Sequence, residues 1–199
     1  MLYATPTNII LASESPRRRD LLSSVLGTIQ ISRPSFEESL QVGEAPAKYV
    51  ERNSFGKASS IAQLQGPGPW IVVGADTIVV KDGLVLEKPK SQSDAYQMLK
   101  SLSGGCHQVI TGYCLLAPVG PAVIKHVVTQ VYFLELSDTL IQRYIDTNEP
   151  MDKAGGYGIQ GLAASFVEKI EGSYTNVVGL PLAQIVRDIE EIDSRFSRA

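Results

Sequence analysis

Apolar residues along the chain fall into short runs and spaced stripes, and the change from one pattern to the other marks strands and helices in turn. Asn8–Ala12 (NIILA) predicts a strand that runs out into Ser13-Glu14-Ser15-Pro16. Leu21, Leu22, Val25 and Leu26 then predict a helix over Arg17–Leu26, with Pro16 suited to its first turn. Thr28–Ser32 predicts a second strand, followed by a polar, acidic loop through Glu37 and Glu38. From about Pro46 to Gln65 the spacing is helical again, and Val50, Ser54, Lys57, Ile61 and Leu64 form the expected inward stripe. A lysine on such a stripe is unusual.

Gly66-Pro67-Gly68-Pro69 stops that helix. Trp70–Val80 is strongly β-forming, and Asp82-Gly83 turns it into Leu84-Val85-Leu86 as a hairpin. A short helix over about Ser93–Ser101 follows, then two β-rich stretches, 108–117 and 122–134, joined as a hairpin by Pro118-Val119-Gly120-Pro121. Ser137–Asp146 predicts a helix, Gly155–Gly161 a Gly-rich loop, Ala164–Ile170 a strand and Pro181–Ile192 a last helix. Helices interleaved with hairpins predict an α/β fold on a mixed, twisted sheet with flanking helices. The chain has no internal repeat and no low-complexity stretch.

With 199 residues, 44% of them hydrophobic, the chain can bury a core, which excludes a disordered tail. The length predicts a single α/β domain over residues 1–199, or one with two lobes flanking a cleft. Eighteen basic against 21 acidic residues give a net charge of −3, which argues against binding a nucleic-acid polymer. A small anion needs only a local group of cations. Cys106 and Cys114 are too few and too far apart for a disulfide framework or a CxxC motif, so a reduced, cytoplasmic protein is expected. No basic residue precedes the first apolar stretch, and Asp76, Lys125 and His126 interrupt the longest apolar runs, so neither signal peptide nor membrane span is expected.

Two places carry candidate chemistry. Ser13, Arg17 and Arg18 sit between a strand end and a helix start, where hydroxyls and paired guanidinium donors suit phosphate oxygens. Asp76 lies inside the apolar run Ile71–Val80, and a carboxylate there is costly unless it is paired, metal-bound or protonated. It is a candidate metal ligand or general base. Lys57 and Lys88 are further cations for the same cleft, each equally readable as a snorkelling or exposed side chain. Glu37 and Glu38 could supply oxygens to Mg²⁺. The chain lacks GxxxxGK[ST], HExxH and GxSxG motifs and has no GxGxxG after a strand, and with only His107 and His126 a catalytic triad or His-rich zinc site is improbable.

Taken together, Leu11–Arg18 (LASESPRR), Gly74–Val79 (GADTIV), Glu87-Lys88-Pro89, Leu102–Gly112 (LSGGCHQVITG), Asp152–Gly161 (DKAGGYGIQG) and Gly172–Leu182 (GSYTNVVGLPL) resemble the Maf family of nucleoside triphosphate pyrophosphatases. The blocks occur in the family's order and span nearly the whole chain. The resemblance implies two lobes around a deep substrate cleft, similar to inosine triphosphatases, and often a homodimer. It also implies hydrolysis of a nucleoside triphosphate to monophosphate and pyrophosphate with Mg²⁺ or Mn²⁺, a house-cleaning activity on modified pyrimidine nucleotides. Arg17-Arg18, Ala75-Asp76-Thr77 and Gly158-Ile159-Gln160-Gly161 look like the branch acting on dTTP and UTP rather than the one acting on 7-methyl-GTP. A nucleotide-binding regulator of septum formation is the reading from another class.

By the same resemblance Asp76 is the general base, and Ser13, Arg17, Lys57 and Lys88 are triphosphate ligands. Arg18, Thr77 and Gln160 set base preference, and Glu37 or Glu38 joins Asp76 as the acidic metal or water partner. Two positions depart from the family pattern. Asn53-Ser54 replaces an apolar pair before Lys57, and Glu14 replaces a small residue, adding negative charge beside the expected polyanion site.

Overall fold

The computed structural model describes residues 7–196, with side chains as far as Ser194. Seven strands among them form one sheet: β1 (Asn8–Ala12), β2 (Gln30–Ser32), β3 (Trp70–Lys81), β4 (Leu84–Leu86), β5 (Cys106–Leu116), β6 (Val123–Phe133) and β7 (Val167–Glu171). Their order is β2-β1-β3-β5-β6-β7, with β4 paired to β3. β1 is parallel to both β2 and β3, whereas β4 on β3 and β7 on β6 are antiparallel, so the sheet is mixed as expected. The helices are α1 (Pro16–Leu26), α2 (Pro46–Ala62), α3 (Gln92–Leu102), α4 (Asp138–Ile145), α5 (Tyr174–Val178) and α6 (Leu182–Phe196). The β3–β4 turn has positive φ at both Asp82 and Gly83, the geometry that a two-residue hairpin of this sequence requires.

The chain divides into two compact units. The first takes the chain up to Asp76, Thr111–Val127 and the chain from Gly179 onward. Its core has two sides because successive strand residues point to opposite faces. Ile9, Leu11, Ile71, Val73, Ala75, Tyr113 and Leu115 pack with Leu22 and Leu26 of α1 and Ile185, Ile189 and Ile192 of α6. The alternate residues Ile10, Ala12, Val72 and Cys114 pack with Ala58 and Ile61 of α2. Asp76 has the parity of Val72, so β3 carries it on the face that α2 covers.

The second unit, Thr77–Ile110 with Val128–Val178, packs Leu99 and Leu102 of α3 and Tyr144 of α4 around Val131, Phe133 and Phe166. His107 is buried there, its Nε2 2.8 Å from the Tyr157 hydroxyl and its ring edge-on to Phe133. Burial, helped by the charge of Lys81, lowers its pKa to about 4.

The structure corrects two boundaries. Leu162–Phe166 is a 3₁₀ turn and the strand begins only at Val167. Ala163 and Phe166 are buried in that turn, and a short apolar run looks the same in either conformation. α2 ends at Ala62, so Leu64 lies outside the helix and is exposed instead of completing the inward stripe. The last turn tightens there, Leu64 N donating to the Ile61 carbonyl and Gln65 N to the Ala62 carbonyl at 3.1 Å each, which ends the α-helical ladder. α5 had no sequence signal. Among the described residues no helix is long and apolar enough to cross a membrane. The expectation about a leader concerns residues 1–6, which lie outside the described residues.

Candidate active site

Two glycines let α2 approach the sheet. A Cβ at Gly74 of β3 would run into the Ser54 carbonyl oxygen and Ala58, and one at Gly112 of β5 would run into the Val50 carbonyl. Helix backbone therefore rests on strand backbone. The polar residues of the inward face, Asn53 and Lys57, are one turn apart and come level with Asp76. Both are buried, as is Asp76 at 5% exposure.

The carboxylate is held at both oxygens. Lys57 Nζ donates to Asp76 Oδ1 at 2.7 Å, and Asn53 Nδ2 donates to Asp76 Oδ2 at 2.8 Å. Burial alone would push the Asp76 carboxyl up. The charge and hydrogen bond of Lys57, the Asn53 hydrogen bond and the charge of Arg18 together outweigh it, and the pKa falls below the ordinary carboxylate value. The sequence expectation that this carboxylate must be compensated is met by pairing.

Lys57 has no spare donor in this arrangement. Besides Asp76, its ammonium is 2.7 Å from Glu38 Oε1 and 3.4 Å from the Ala75 carbonyl oxygen, which engages all three protons. The acidic loop thus reaches the site through Glu38, and Glu37 is exposed beside it. Side-chain anchors position this loop: Phe36 lies where a Cβ at Gly56 would be, Ser35 N donates to Ser60 Oγ at 3.2 Å, and Arg52 grips Glu44 and the Ser39 carbonyl at 2.7 Å each.

The β1–α1 junction lies at the same end of the sheet, since Ala12 is in register with Gly74 and Asp76 comes two residues later. Ser13 is buried, and its Oγ accepts from Ser15 N at 3.2 Å and from Arg18 Nη1 at 3.3 Å. Arg18 also donates to the Ala75 carbonyl at 3.0 Å and, through Nε, to the Gly179 carbonyl at 2.8 Å. Desolvation lowers its pKa while Asp76 and Glu38 act in the opposite direction. Arg18 therefore braces three chain segments. Arg17 is half-buried on the first turn of α1. Glu14, expected to weaken anion binding, is turned to the surface, where it pairs with Arg33 at 3.3 Å.

Thr77, Lys88 and Gln160 belong to the second unit. Thr77 is half-buried on β3, and Lys88 is exposed in the loop after β4, which Gly155 N ties down through the Glu87 carbonyl at 3.0 Å. Gln160 is exposed in the Gly158–Gly161 turn. Glu149 frames that turn by accepting from Tyr144 Oη at 3.0 Å and from Leu162 N at 3.2 Å. The sequence reading passed over Glu149 and, as a site residue, Asn53. The available signal for Asn53 was its place four residues before Lys57, on the same helical face.

Among the described residues no three His, Cys, Asp or Glu side chains cluster as a metal cage. Asp76 and Glu38 nevertheless converge on one cationic point at Lys57, and Asn53 Oδ1 is buried without a hydrogen-bond partner among the described residues. Two carboxylates suit a Mg²⁺-like ion that arrives with substrate phosphates, since such an ion takes few protein ligands.

Fold and site define a class: a mixed α/β protein that holds an ionised, buried carboxylate among cations at the end of a parallel strand pair. The Maf-like protein family matches residues 8–192, and the chain belongs to that family. It is 48% identical over 178 residues to the dTTP/UTP pyrophosphatase of Alkaliphilus metalliredigens, covering 89% of this chain and 92% of the relative. The dTTP/UTP pyrophosphatases of Hahella chejuensis and Clostridium perfringens are 47% and 44% identical, covering 92% and 93% of this chain and 91% and 97% of theirs. Among solved structures, a HAM1 protein from Coxiella burnetii aligns with a TM-score of 0.49 at 13% identity, over 93% of this chain and 99% of that one.

Proposed function

We propose that this protein hydrolyses dTTP and UTP to the monophosphate and pyrophosphate. The observation that carries the reading is Asp76, a buried carboxylate kept ionised by Lys57 and Asn53 in a chain whose relatives carry that activity in their names. Water attacks the α-phosphorus, the bond from that phosphorus to the oxygen bridging it to the β-phosphorus breaks, and Asp76 takes the water's proton. While Lys57 is paired with it, Asp76 is a weak proton acceptor but a well-oriented one. Drawing Lys57 toward the substrate phosphates, with release of Glu38, frees an ammonium donor and raises the basicity of Asp76 in one movement.

Asp76 and Glu38 would hold the divalent cation, Mg²⁺ or Mn²⁺, which when bound offsets phosphate charge and polarises the reacting phosphoryl group. Ser13 and Arg17 add phosphate donors from the β1–α1 junction, and by the family resemblance Lys88 is a further phosphate ligand. Gln160 offers a donor and an acceptor to the imide edge shared by thymine and uracil, with Arg18 and Thr77 contributing to base preference.

The test is a panel of common and modified nucleoside triphosphates with Mg²⁺, products resolved. Pyrophosphate release is expected from dTTP and UTP ahead of the purine triphosphates and 7-methyl-GTP. Equal rates across the panel would remove the base assignment. Asp76→Asn should lower kcat by about 100-fold or more while the protein still melts cooperatively. Near-normal turnover by that variant would end the proposed role of Asp76.

A further inference from the structure

We propose that Asn53 is a positioning residue of this hydrolase, fixing Asp76 Oδ2 while Lys57 fixes Oδ1. The inference rests on the reading of Asp76 given above. A carboxylate turns freely about its last torsion because the preference there is broad. A donor at one oxygen leaves that rotation open, whereas donors at both oxygens define the plane of the group. Asn53 Nδ2, 2.8 Å from Oδ2, is the second donor. It comes from the same helix as Lys57, so the two constraints move together and depend on the seating of α2 at Gly74.

The family pattern carries an apolar residue at this position, so packing does not account for the amide, and the second donor is a feature of this chain's own site. The site is fully buried, and Asn53 Oδ1 has no hydrogen-bond partner among the described residues, so the side chain carries an unsatisfied acceptor that an aliphatic residue would not. The compensation lies at the other end of the amide. A donor is what an ionised carboxylate needs, and neither a second carboxylate nor an apolar group supplies one.

Asn53→Leu keeps most of the volume and removes the donor, and Asn53→Ala removes both. Steady-state hydrolysis of dTTP with Mg²⁺ and thermal melting are measured for each, beside Asp76→Asn. Both Asn53 variants are expected to lose about 10- to 100-fold in kcat with KM changed by less than about twofold, since the hydrogen bond acts on the reacting group rather than on substrate binding. A packing role predicts instead that Leu restores what Ala loses, and that result overturns the proposal. So does unchanged kcat in both variants, or a loss confined to KM. Should Asn53→Leu fold poorly, Asn53→Ser, which retains a shorter donor, must fall between Asn53→Ala and the parent in kcat, and a rate no better than that of Asn53→Ala overturns the proposal. If Asp76→Asn itself keeps turnover, the functional reading fails; if it loses turnover while the Asn53 variants do not, only the present inference fails.

Discussion

Asp76 and His107 are both buried ionisable groups, and the molecule treats them in opposite ways. Asp76 is kept charged by a lysine and an amide, so its contribution to stability is present above the ordinary carboxylate pKa of 3.8 and is lost as pH falls through its lower folded value. Among the described residues His107 has no counter-ion, and it is kept neutral. Between its ordinary value of 6.5 and its folded value of about 4, the unfolded chain binds a proton that the folded chain refuses. Stability must therefore fall as pH drops through that window, by about 3 kcal/mol in all. Urea unfolding at intervals from pH 7 to pH 4 should show the decline, and His107→Gln should flatten it; an unchanged slope in the variant would place the effect elsewhere. Asp76 was legible in the sequence because a carboxylate in a run of valines and isoleucines has few physical outcomes. Asn53 was not, because an amide on a helix is ordinary until the residue it faces is known.

The elements around the site owe their placement to what strands omit. Gly74 admits the α2 backbone, and a methyl group there would meet both the Ser54 carbonyl and Ala58. Gly74→Ala is expected to destabilise by about 1–3 kcal/mol and to lower turnover together with stability, measured by denaturant melts and dTTP hydrolysis. A variant with the parental melt would mean that the helix can shift without cost. Most strands and helices were legible, since a continuous β-branched run such as Trp70–Lys81 and a 3.6-residue spacing such as that of Pro46–Ala62 are easily told apart. The 3₁₀ turn at Leu162–Phe166 was not, because a five-residue apolar stretch does not define a period. Nor was the route of the acidic loop, which follows single contacts such as Phe36 over Gly56 rather than any repeating pattern.

Across the whole molecule, the net charge of −3 says little about the site. There two cations, Arg18 and Lys57, stand with two carboxylates, Asp76 and Glu38, in near balance. The sequence suggested a mixed α/β sheet through its hairpins, but the order β2-β1-β3-β5-β6-β7 depends on pairings between distant segments, such as Ile10 with Val72, that local periodicity does not encode. The seating of α2 directly on strand backbone has a thermal consequence. A helix held off a sheet by long side chains can loosen as those side chains gain freedom on warming, and a site built on it then fades before the protein melts. Here the turns of α2 that carry Asn53 and Lys57 rest on strand backbone at Gly112 and Gly74. Turnover measured after brief heating should survive up to the cooperative melting transition and vanish within it, and an activity lost well below that temperature would show that the site opens on its own.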